Sequence, residues 1–419
     1  MVETLTISRL GPGGEGIAET PVGPVQVPFS LPGERVLVEA EGRRGRLVGI
    51  EAVSPDRIAP FCPWFTRCGG CVFQHLAPDP YAVWKHSRVV SALRGQGLEV
   101  PVEPLADAHG EGRRRVVLHV RRIEGEVRAG FMEAGTHRLV PVAECPAAVP
   151  ALARAPAVAE ALARPLLSAG KPLDVAVTAT LAGLDVDLRG PGQPGERKVQ
   201  ALIGEAERLD LARLSLHGDV LVERRRPAIA VGPSLVVPPP GSFLQATARG
   251  EEELADAVLG AAGGARRIVD LFAGIGPFTL RLARNAEVHA VEGQAAMLAA
   301  LDRAARETPG LRRVTTEARD LFRRPLLAPE LDRFDLAVID PPRQGAASQV
   351  GQVVLSSLDR LIMVSCDPGT FARDAAALAA GGFAPERVRP VDQFKWSTHV
   401  EIVGVFARPS RRPPRKGRR

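Results

Sequence analysis

The sequence predicts an α/β protein with a Rossmann-like C-terminal half, an N-terminal OB-like β-barrel and a mainly β central region that carries a four-cysteine site. Residues 1–55 alternate short runs of Val, Ile and Leu with glycine-rich turns, as small barrels do. Similar runs return over 113–142 and 173–237, and an Ala-rich stretch over 150–169 predicts a helix. Beyond about residue 240, strand-like and helix-like segments alternate, which indicates a parallel sheet.

These changes of pattern divide the 419 residues into four predicted segments. They are a barrel over 1–57, a central cysteine-bearing domain over 58–240, the Rossmann-like domain over 241–408 and a basic tail over 409–419.

Composition limits the class of protein. With 45% hydrophobic and 24% charged residues, the chain is typical of a globular protein rather than a wholly disordered one. The first residues lack a basic and then apolar signal pattern, and no run of about 18 apolar residues occurs, so we expect a cytoplasmic protein without a membrane span. Thiols stay reduced in the cytoplasm, so the five cysteines are better explained as ligands or nucleophiles than as disulfides.

Positive charge is concentrated at the C-terminus. The last twelve residues, RPSRRPPRKGRR, contain seven basic residues, which leaves the rest of the chain at about −1 out of a net +6. A tail rich in Pro and like charges is predicted to be disordered and can hold phosphates. A solubilising end without a specific partner explains the same residues equally well.

A glycine-rich turn follows the first strand of the C-terminal half. RIVDLF at 267–272 predicts a buried strand, AGIG at 273–276 a turn, and PFTLRLA at 277–283 a helix. Gly274 would let a ligand approach the backbone, and Glu292 ends the next predicted strand, where a carboxylate can bind a ribose diol. Because the third glycine of the dinucleotide fingerprint is missing, the turn favours S-adenosylmethionine over a dinucleotide.

Two later strands also end in chemically useful residues. FDLAVI runs into Asp340 of an Asp-Pro-Pro-Arg sequence, and RLIMVS runs into Cys366. Since ligands bind beyond the carboxyl ends of parallel strands, Asp270, Glu292, Asp340 and Cys366 are expected to face one crevice. A small buried thiol that closes a strand is the alternative explanation for Cys366.

A thiolate beside a methyl donor suits pyrimidine chemistry. Carbon 5 of a pyrimidine is a poor nucleophile, but addition of a thiolate to carbon 6 makes it nucleophilic. A base must then remove the carbon 5 proton, and the late strand STHVEIVGVF offers His399 and Glu401. Spacing alone does not choose between them.

The chain resembles the S-adenosylmethionine-dependent RNA uracil-5 methyltransferases, which make 5-methyluridine in tRNA and 23S rRNA. The resemblance covers nearly the whole chain and rests on a TRAM-like barrel, Cys62-x5-Cys68-Gly-Gly-Cys71, Phe-x-Gln at 243–245, DLFAGIGPFTL, DPPRQG, VSCDPGTFARD and the final HVE. It implies a class I methyltransferase fold, Cys366 as the nucleophile and Glu401 as the base. It also implies a cofactor and base pocket formed by Gln245, Phe272, Glu292 and Asp340, with Asp320 at the adenine end.

Three departures from the family pattern put cofactor affinity and the RNA target in question. Thr247 stands where Asn is usual, Pro277 where Asn or Glu is frequent, and Gln393 lies in an Asp-Gln-Phe-Lys sequence that is usually Asp-Met-Phe-Pro.

The remaining cysteines, Cys62, Cys68, Cys71 and Cys145, form a four-thiolate set that suits zinc or an iron-sulfur cluster. Spacing does not choose strongly, although three clustered thiols and a remote one suit a cubane better. The resemblance implies a structural [4Fe-4S] cluster. Radical S-adenosylmethionine chemistry is disfavoured, because the Cys62-x5-Cys68 interval is too long for its cysteine motif.

RNA is the expected partner, with 23S rRNA favoured and tRNA as the alternative, and no protein partner or membrane is implied. Two other classes of protein share some of these features. An adenine amino-methyltransferase would share Asp-Pro-Pro but prefers an aromatic residue at Arg343 and has no use for Cys366. An RNA-binding or redox protein without methyl transfer would not need the intact HVE and DPPR sequences.

Overall fold

The computed structural model describes residues 2–167, 172–190 and 192–409. The predicted basic tail lies outside the described residues from position 410 onwards. The N-terminal segment forms a curled six-stranded sheet in the order β1-β5-β6-β4-β3-β2. Its strands are β1 (Val2–Thr6), β2 (Arg9–Leu10), β3 (Gly16–Ala18), β4 (Val25–Val27), β5 (Arg35–Glu41) and β6 (Arg44–Ala52).

The core of this sheet comes from residues that alternate along its strands. In β5, Val36 and Val38 are fully buried and pack with Val25 and Val27 of β4. Inward residues at every second position are what the sequence pattern predicted.

Helix α1 (Pro78–Gly95) and the short strand β7 (Ala106–Asp107) come next. A seven-stranded sheet of order β10-β9-β8-β11-β12-β13-β14 then forms the mainly β central region. Its strands are β8 (Arg115–Ile123), β9 (Glu126–Met132), β10 (Leu139–Pro141), β11 (Leu173–Thr180), β12 (Gly183–Arg189), β13 (Arg213–Leu216) and β14 (Asp219–Glu223).

Helices α2 (Ala155–Ala163) and α3 (Glu196–Arg208) pack against this sheet, and a hairpin of β15 (Ile229–Val231) and β16 (Ser234–Val236) follows it. The predicted helix over 150–169 is a 3-10 turn at Pro150–Leu152 followed by α2, and its last two positions lie outside the described residues.

The C-terminal half alternates helices and strands, which confirms the predicted α/β class. Its elements are α4 (Ala248–Ala262), β17 (Arg267–Leu271), α5 (Thr279–Leu282), β18 (Glu287–Glu292), α6 (Ala295–Glu307), β19 (Val314–Ala318), α7 (Ala328–Leu331), β20 (Leu336–Ile339), α8 (Ala347–Leu355), β21 (Arg360–Ser365), α9 (Pro368–Ala380), β22 (Ala384–Asp392) and β23 (Glu401–Ala407). Helix α5 is shorter than the predicted 277–283 segment and begins two residues after Pro277.

These strands form an eight-stranded sheet of order β19-β18-β17-β20-β21-β23-β22-β7. Strands β17 to β21 pair in parallel, whereas β23 pairs antiparallel with both β21 and β22. Strand order reverses between β17 and β20, and the loops that leave such a switch point diverge and open a crevice. Along β20, Leu336 and Val338 face one core while Ala337 and Ile339 face the other, so the sheet is covered on both sides.

Helix α1 and strand β7 belong to the predicted 58–240 segment but contact the C-terminal sheet. Val89 and Leu93 of α1 are buried in the same core as the C-terminal sheet, and β7 pairs in parallel with β22 at the sheet edge. The hydrophobic stripe of α1 therefore serves a sheet that lies far away in sequence.

Within the described residues, no helix is long and apolar enough to cross a membrane.

Candidate active site

A cavity of about 370 Å³ lies at the switch point of the C-terminal sheet. It is lined by loops that follow β17, β20 and β21, by the beginning of β23, and by the segment before α4. Six of the predicted site residues line it: Gln245, Phe272, Gly274, Asp340, Cys366 and Glu401.

The directions of two strands bring Cys366 and Glu401 to the same cavity. Cys366 follows the last residue of β21, and Glu401 is the first residue of β23. These strands are antiparallel, with Ser365 opposite Ile402, so the end of one meets the beginning of the other. The thiol is partly exposed, whereas the carboxyl is 3% exposed.

Burial shapes the acid–base properties of the cavity. It raises the pKa of Glu401 to about 7, although a hydrogen bond from Gln393 and the charge of Arg343 lower it. Burial also raises the pKa of Asp340 well above its usual range. The pKa of the Cys366 thiol is raised to about 12, first by burial and then by the carboxylates of Glu401 and Asp340, while Arg343 opposes this.

His399 lines the same cavity but its ring is engaged. The Arg343 guanidinium donates a hydrogen bond of 2.9 Å to His399 Nε2. Since arginine has no acceptor, that nitrogen must offer its lone pair. Burial and then the charge of Arg343 lower the pKa of His399 to about 4. This pairing favours Glu401 over His399 as a base.

The glycine turn after β17 is held by Glu292. Its carboxylate accepts from the backbone N–H groups of Gly274, at 3.1 Å, and Gln294, at 2.9 Å. Phe272 and Gly274 both have positive φ values, of 63° and 55°. A Cβ added at Gly274 would meet no heavy atom within 4 Å, so the glycine leaves open space at the cavity wall.

Two predicted residues lie at neighbouring strand ends but outside the cavity lining. Glu292 ends β18 and supports the turn, and Asp320 follows β19, is exposed, and accepts from the N–H of Phe322 at 3.0 Å. The expectation that Asp270 faces the crevice is wrong. Its side chain is fully buried and accepts from the Thr279 hydroxyl at 2.5 Å, because position 270 lies inside β17 rather than at its end.

The three departures have different structural consequences. Thr247 caps helix α4, since its Oγ1 accepts from Gly250 N at 2.8 Å and donates to Ala108 O at 2.6 Å. Pro277 lines the cavity. Gln393 is buried and donates hydrogen bonds to Gln245 and Glu401, a role that no sequence signal indicated.

A buried lysine holds the loop between β22 and β23. Lys85 of α1 forms an ion pair with Asp392 and donates to the backbone oxygens of His399, at 2.6 Å, and Phe394, at 3.0 Å. Sequence reasoning missed this residue. Its position four residues after Tyr81 and four before Val89 places it on the apolar stripe of the helix, which was the available signal.

Replacing Lys85 with methionine is expected to destabilise the fold by about 3–5 kcal/mol, because it leaves the Asp392 carboxylate buried without its cation. Lys395→Met is the matched control. Its ion pair with Asp107 is more exposed, so a change below about 1 kcal/mol is expected. Urea unfolding of both variants measures the difference, and equal losses would contradict this role of Lys85.

A second cavity, of about 350 Å³, contains the four remaining cysteines in its wall. Cys62, Cys68 and Cys71 come from the segment before α1, and Cys145 follows β10. Within the described ranges, no group of three or more His, Cys, Asp or Glu is arranged to hold a metal ion, so the cluster stays a prediction. Arg113 lies between the two cavities. It lines the cysteine cavity, and its guanidinium lies 5.8 Å from the ring of Phe394, which lines the cavity of Cys366 and Glu401.

Known proteins are similar to this chain in sequence and architecture. Residues 238–409 match the family described as tRNA (uracil-5-)-methyltransferase. An uncharacterised RNA methyltransferase of Brucella suis is 44% identical over 96% of this chain and 97% of its own length. The 23S rRNA (uracil(1939)-C(5))-methyltransferase of Chromohalobacter salexigens is 34% identical over 96% of this chain and 89% of its own.

In structure, the chain is similar to the Pyrococcus abyssi tRNA (uracil-54, C5)-methyltransferase, with a TM-score of 0.74, 20% identity and coverage of 96% and 99% of the two chains. The sheet order and the crevice at its switch point are those of the Rossmann-like class I fold, and together with the relatives they define an S-adenosylmethionine-dependent methyltransferase. The chain belongs to the RNA uracil-5 methyltransferase family, as the resemblance predicted.

Proposed function

We propose that this protein methylates carbon 5 of a specific uridine in 23S rRNA through a covalent adduct with Cys366. One observation carries the proposal. The thiol of Cys366, just after β21, and the carboxyl of Glu401, at the start of the antiparallel neighbour β23, line the same cavity beside the glycine turn. That is the pair of groups that the chemistry of carbon 5 requires, a nucleophile and a separate base.

The cavity suits S-adenosylmethionine, since Gly274 leaves open space and Phe272 lines the wall. Glu292, which supports the turn, is assigned to the ribose of the cofactor. Asp320, at the next strand end, is assigned to its adenine. Asp340 and Gln245 are assigned to the shared wall between cofactor and uracil. When bound, the cofactor supplies an electrophilic methyl carbon.

In the proposed sequence, Cys366 adds as a thiolate to carbon 6, and the electrons of the ring double bond move onto the ring as an enolate. Carbon 5 would then bond to the methyl carbon as the bond from that carbon to the sulfonium sulfur breaks, which would leave S-adenosylhomocysteine. Glu401 removes the carbon 5 proton, and the ring electrons expel the thiolate to restore the double bond. Because burial and then the nearby carboxylates raise the pKa of the thiol, its ionisation needs nearby positive charge. Arg343 supplies part of this charge.

The pKa of Glu401 sets an expected pH dependence. A base must be ionised to accept a proton, and burial raises its pKa to about 7. The ionised fraction of Glu401 is therefore expected to fall about tenfold for each pH unit below about 7, which lowers turnover on the acidic side, while the raised pKa of the Cys366 thiol lets turnover keep rising above pH 7. A profile of kcat from pH 5.5 to 9 tests this, and a rate that does not fall on the acidic side would contradict it.

A uracil must leave its stack to enter this cavity. Phe243 is 61% exposed and lies at the cavity wall, where its ring can stack on a base. Arg343 and the Arg113–Phe394 contact add positive charge and aromatic surface nearby. These features support RNA as the substrate.

The choice of 23S rRNA over tRNA is supported by the 34% identical relative, which is named for a 23S rRNA uracil. The purified protein should be incubated with S-adenosylmethionine and with rRNA and tRNA from a strain that lacks the gene. Mass-spectrometric mapping should find new 5-methyluridine in 23S rRNA. New 5-methyluridine in tRNA alone would select the alternative, and none in either RNA would overturn the proposal.

We also propose that Cys62, Cys68, Cys71 and Cys145 hold a [4Fe-4S] cluster with a structural role, since two distant segments bring all four into one cavity wall. Anaerobically purified protein should contain about four iron and four sulfide per chain. Cys145→Ser should lose most of both, whereas Cys366→Ser, in the other cavity, should keep them. A stoichiometric zinc content would contradict the cluster.

A further inference from the structure

We propose that Gln393 is a positioning residue of the reaction, which fixes the oxygen of Glu401 that receives the substrate proton and ties this base to the Gln245–Asp340 wall. The inference rests on the proposed function and deepens it. Gln393 is 0% exposed and stands directly after β22, between the segment before α4 and the beginning of β23.

The orientation of the Gln393 amide is determined by a backbone group. Ala246 N lies 2.8 Å from Gln393 Oε1, and a backbone N–H can only donate. The atom that it meets must therefore be the carbonyl oxygen. The amide nitrogen then points to the opposite side, towards Gln245 and Glu401.

Both hydrogens of this nitrogen are used. Gln393 Nε2 donates to Gln245 Oε1 at 2.6 Å and to Glu401 Oε1 at 3.0 Å. Because the carbonyl oxygen of a protonated carboxyl is a better acceptor than its hydroxyl oxygen, the bond to Oε1 favours a proton on Oε2. Gln393 therefore distinguishes two oxygens that are chemically equivalent in an isolated carboxylate.

The orientation of the Gln393 amide also determines the orientation of the Gln245 amide. Gln245 Oε1 accepts from Gln393, so Gln245 Nε2 is the donor, and it lies 3.3 Å from Asp340 Oδ2. Donors and acceptors thus alternate from Ala246 N–H through Gln393 and Gln245 to Asp340. One backbone group orders side chains from three separate parts of the chain.

Packing shows that the backbone is adapted to this side chain. A Cβ at Gly250, in the first turn of α4, would lie 2.5 Å from Gln393 Cβ. Glycine inside a helix is less favourable than alanine, yet here it makes room for Gln393.

The bond from Gln393 favours the ionised form of Glu401 and partly offsets burial, which raises its pKa. Gln393→Met gives the residue that the family pattern usually has here, keeps a similar length and removes both donors, so it tests whether this chain depends on the amide. Its kcat near pH 7 is expected to fall roughly tenfold to a hundredfold, with the acidic limb of the profile moved to higher pH and the rate recovering in alkali. The KM for RNA should change by less than about twofold, because the residue is buried away from the RNA.

Gln393→Glu is the second variant. Its carboxyl can donate one hydrogen bond only while protonated, so its rate should not recover in alkali. Opposite responses of the two variants to high pH are not expected from a packing defect. Rates that are lowered equally at every pH, or a Met variant with the parent profile, would overturn the proposal.

Adduct formation with RNA that carries 5-fluorouridine at the target separates the possible failures. Fluorine replaces the proton that the base removes, so the adduct forms without that step. Gln393→Met should form it at the parent rate, and a slower rate would count against a role confined to the base. If the parent itself forms no adduct and makes no 5-methyluridine, the proposed function fails and not the role of Gln393 alone.

Discussion

Replacing Cys366 with alanine is expected to lower methyl transfer to uridine by roughly 10⁴-fold or more, because no other group in the cavity can add to carbon 6 of the ring. Cys366→Ser should be nearly as inactive, since a hydroxyl is a far weaker nucleophile towards this carbon. The side chain lies at a strand end and is partly exposed, so either change should leave the fold intact.

The measurement uses radiolabelled S-adenosylmethionine and RNA that carries 5-fluorouridine at the target. The parent should form a denaturant-stable complex that contains both protein and methyl group, and both variants should form none. Thermal unfolding of each variant provides the control for folding. A Cys366→Ala variant that still forms the complex would remove the nucleophile from position 366.

Replacing Glu401 with glutamine is expected to trap the reaction after methyl transfer. The amide cannot take the carbon 5 proton, so the thiolate cannot leave and the methylated adduct should accumulate on ordinary uridine RNA. Release of product should fall by about 10²–10⁴-fold. The trapped complex should have the mass of protein plus RNA plus one methyl group.

His399→Asn is the matched control, because His399 lines the same cavity and was the other candidate base. Its Nε2 already accepts from Arg343, so the variant is expected to turn over without accumulating adduct. The reverse outcome, with adduct in the His399 variant and turnover in Glu401→Gln, would transfer the role of base to His399.

The sequence alone was sufficient for the fold class and for several positions at the site. Apolar runs that end in Asp340 and Cys366 predicted two parallel strands with chemical groups at their carboxyl ends, and both groups line one cavity. This works because the polarity of a parallel sheet brings every carboxyl end to the same edge. Family motifs then supplied expected roles, which the predictions above test.

The tertiary structure determined the contacts between distant residues, which no local sequence pattern encodes. Glu401 begins its strand, and it reaches the carboxyl-end crevice only because β23 runs antiparallel beside β21. In the sequence, Gln393 is only a departure from a motif. In the fold it lies between Gln245 and Glu401, which are 148 and 8 residues away in sequence. Lys85 likewise meets Asp392 across 307 residues. Periodicity in a sequence tells which face of an element is buried, whereas the partner on that face depends on chain direction and strand order, which form only when distant segments pack together.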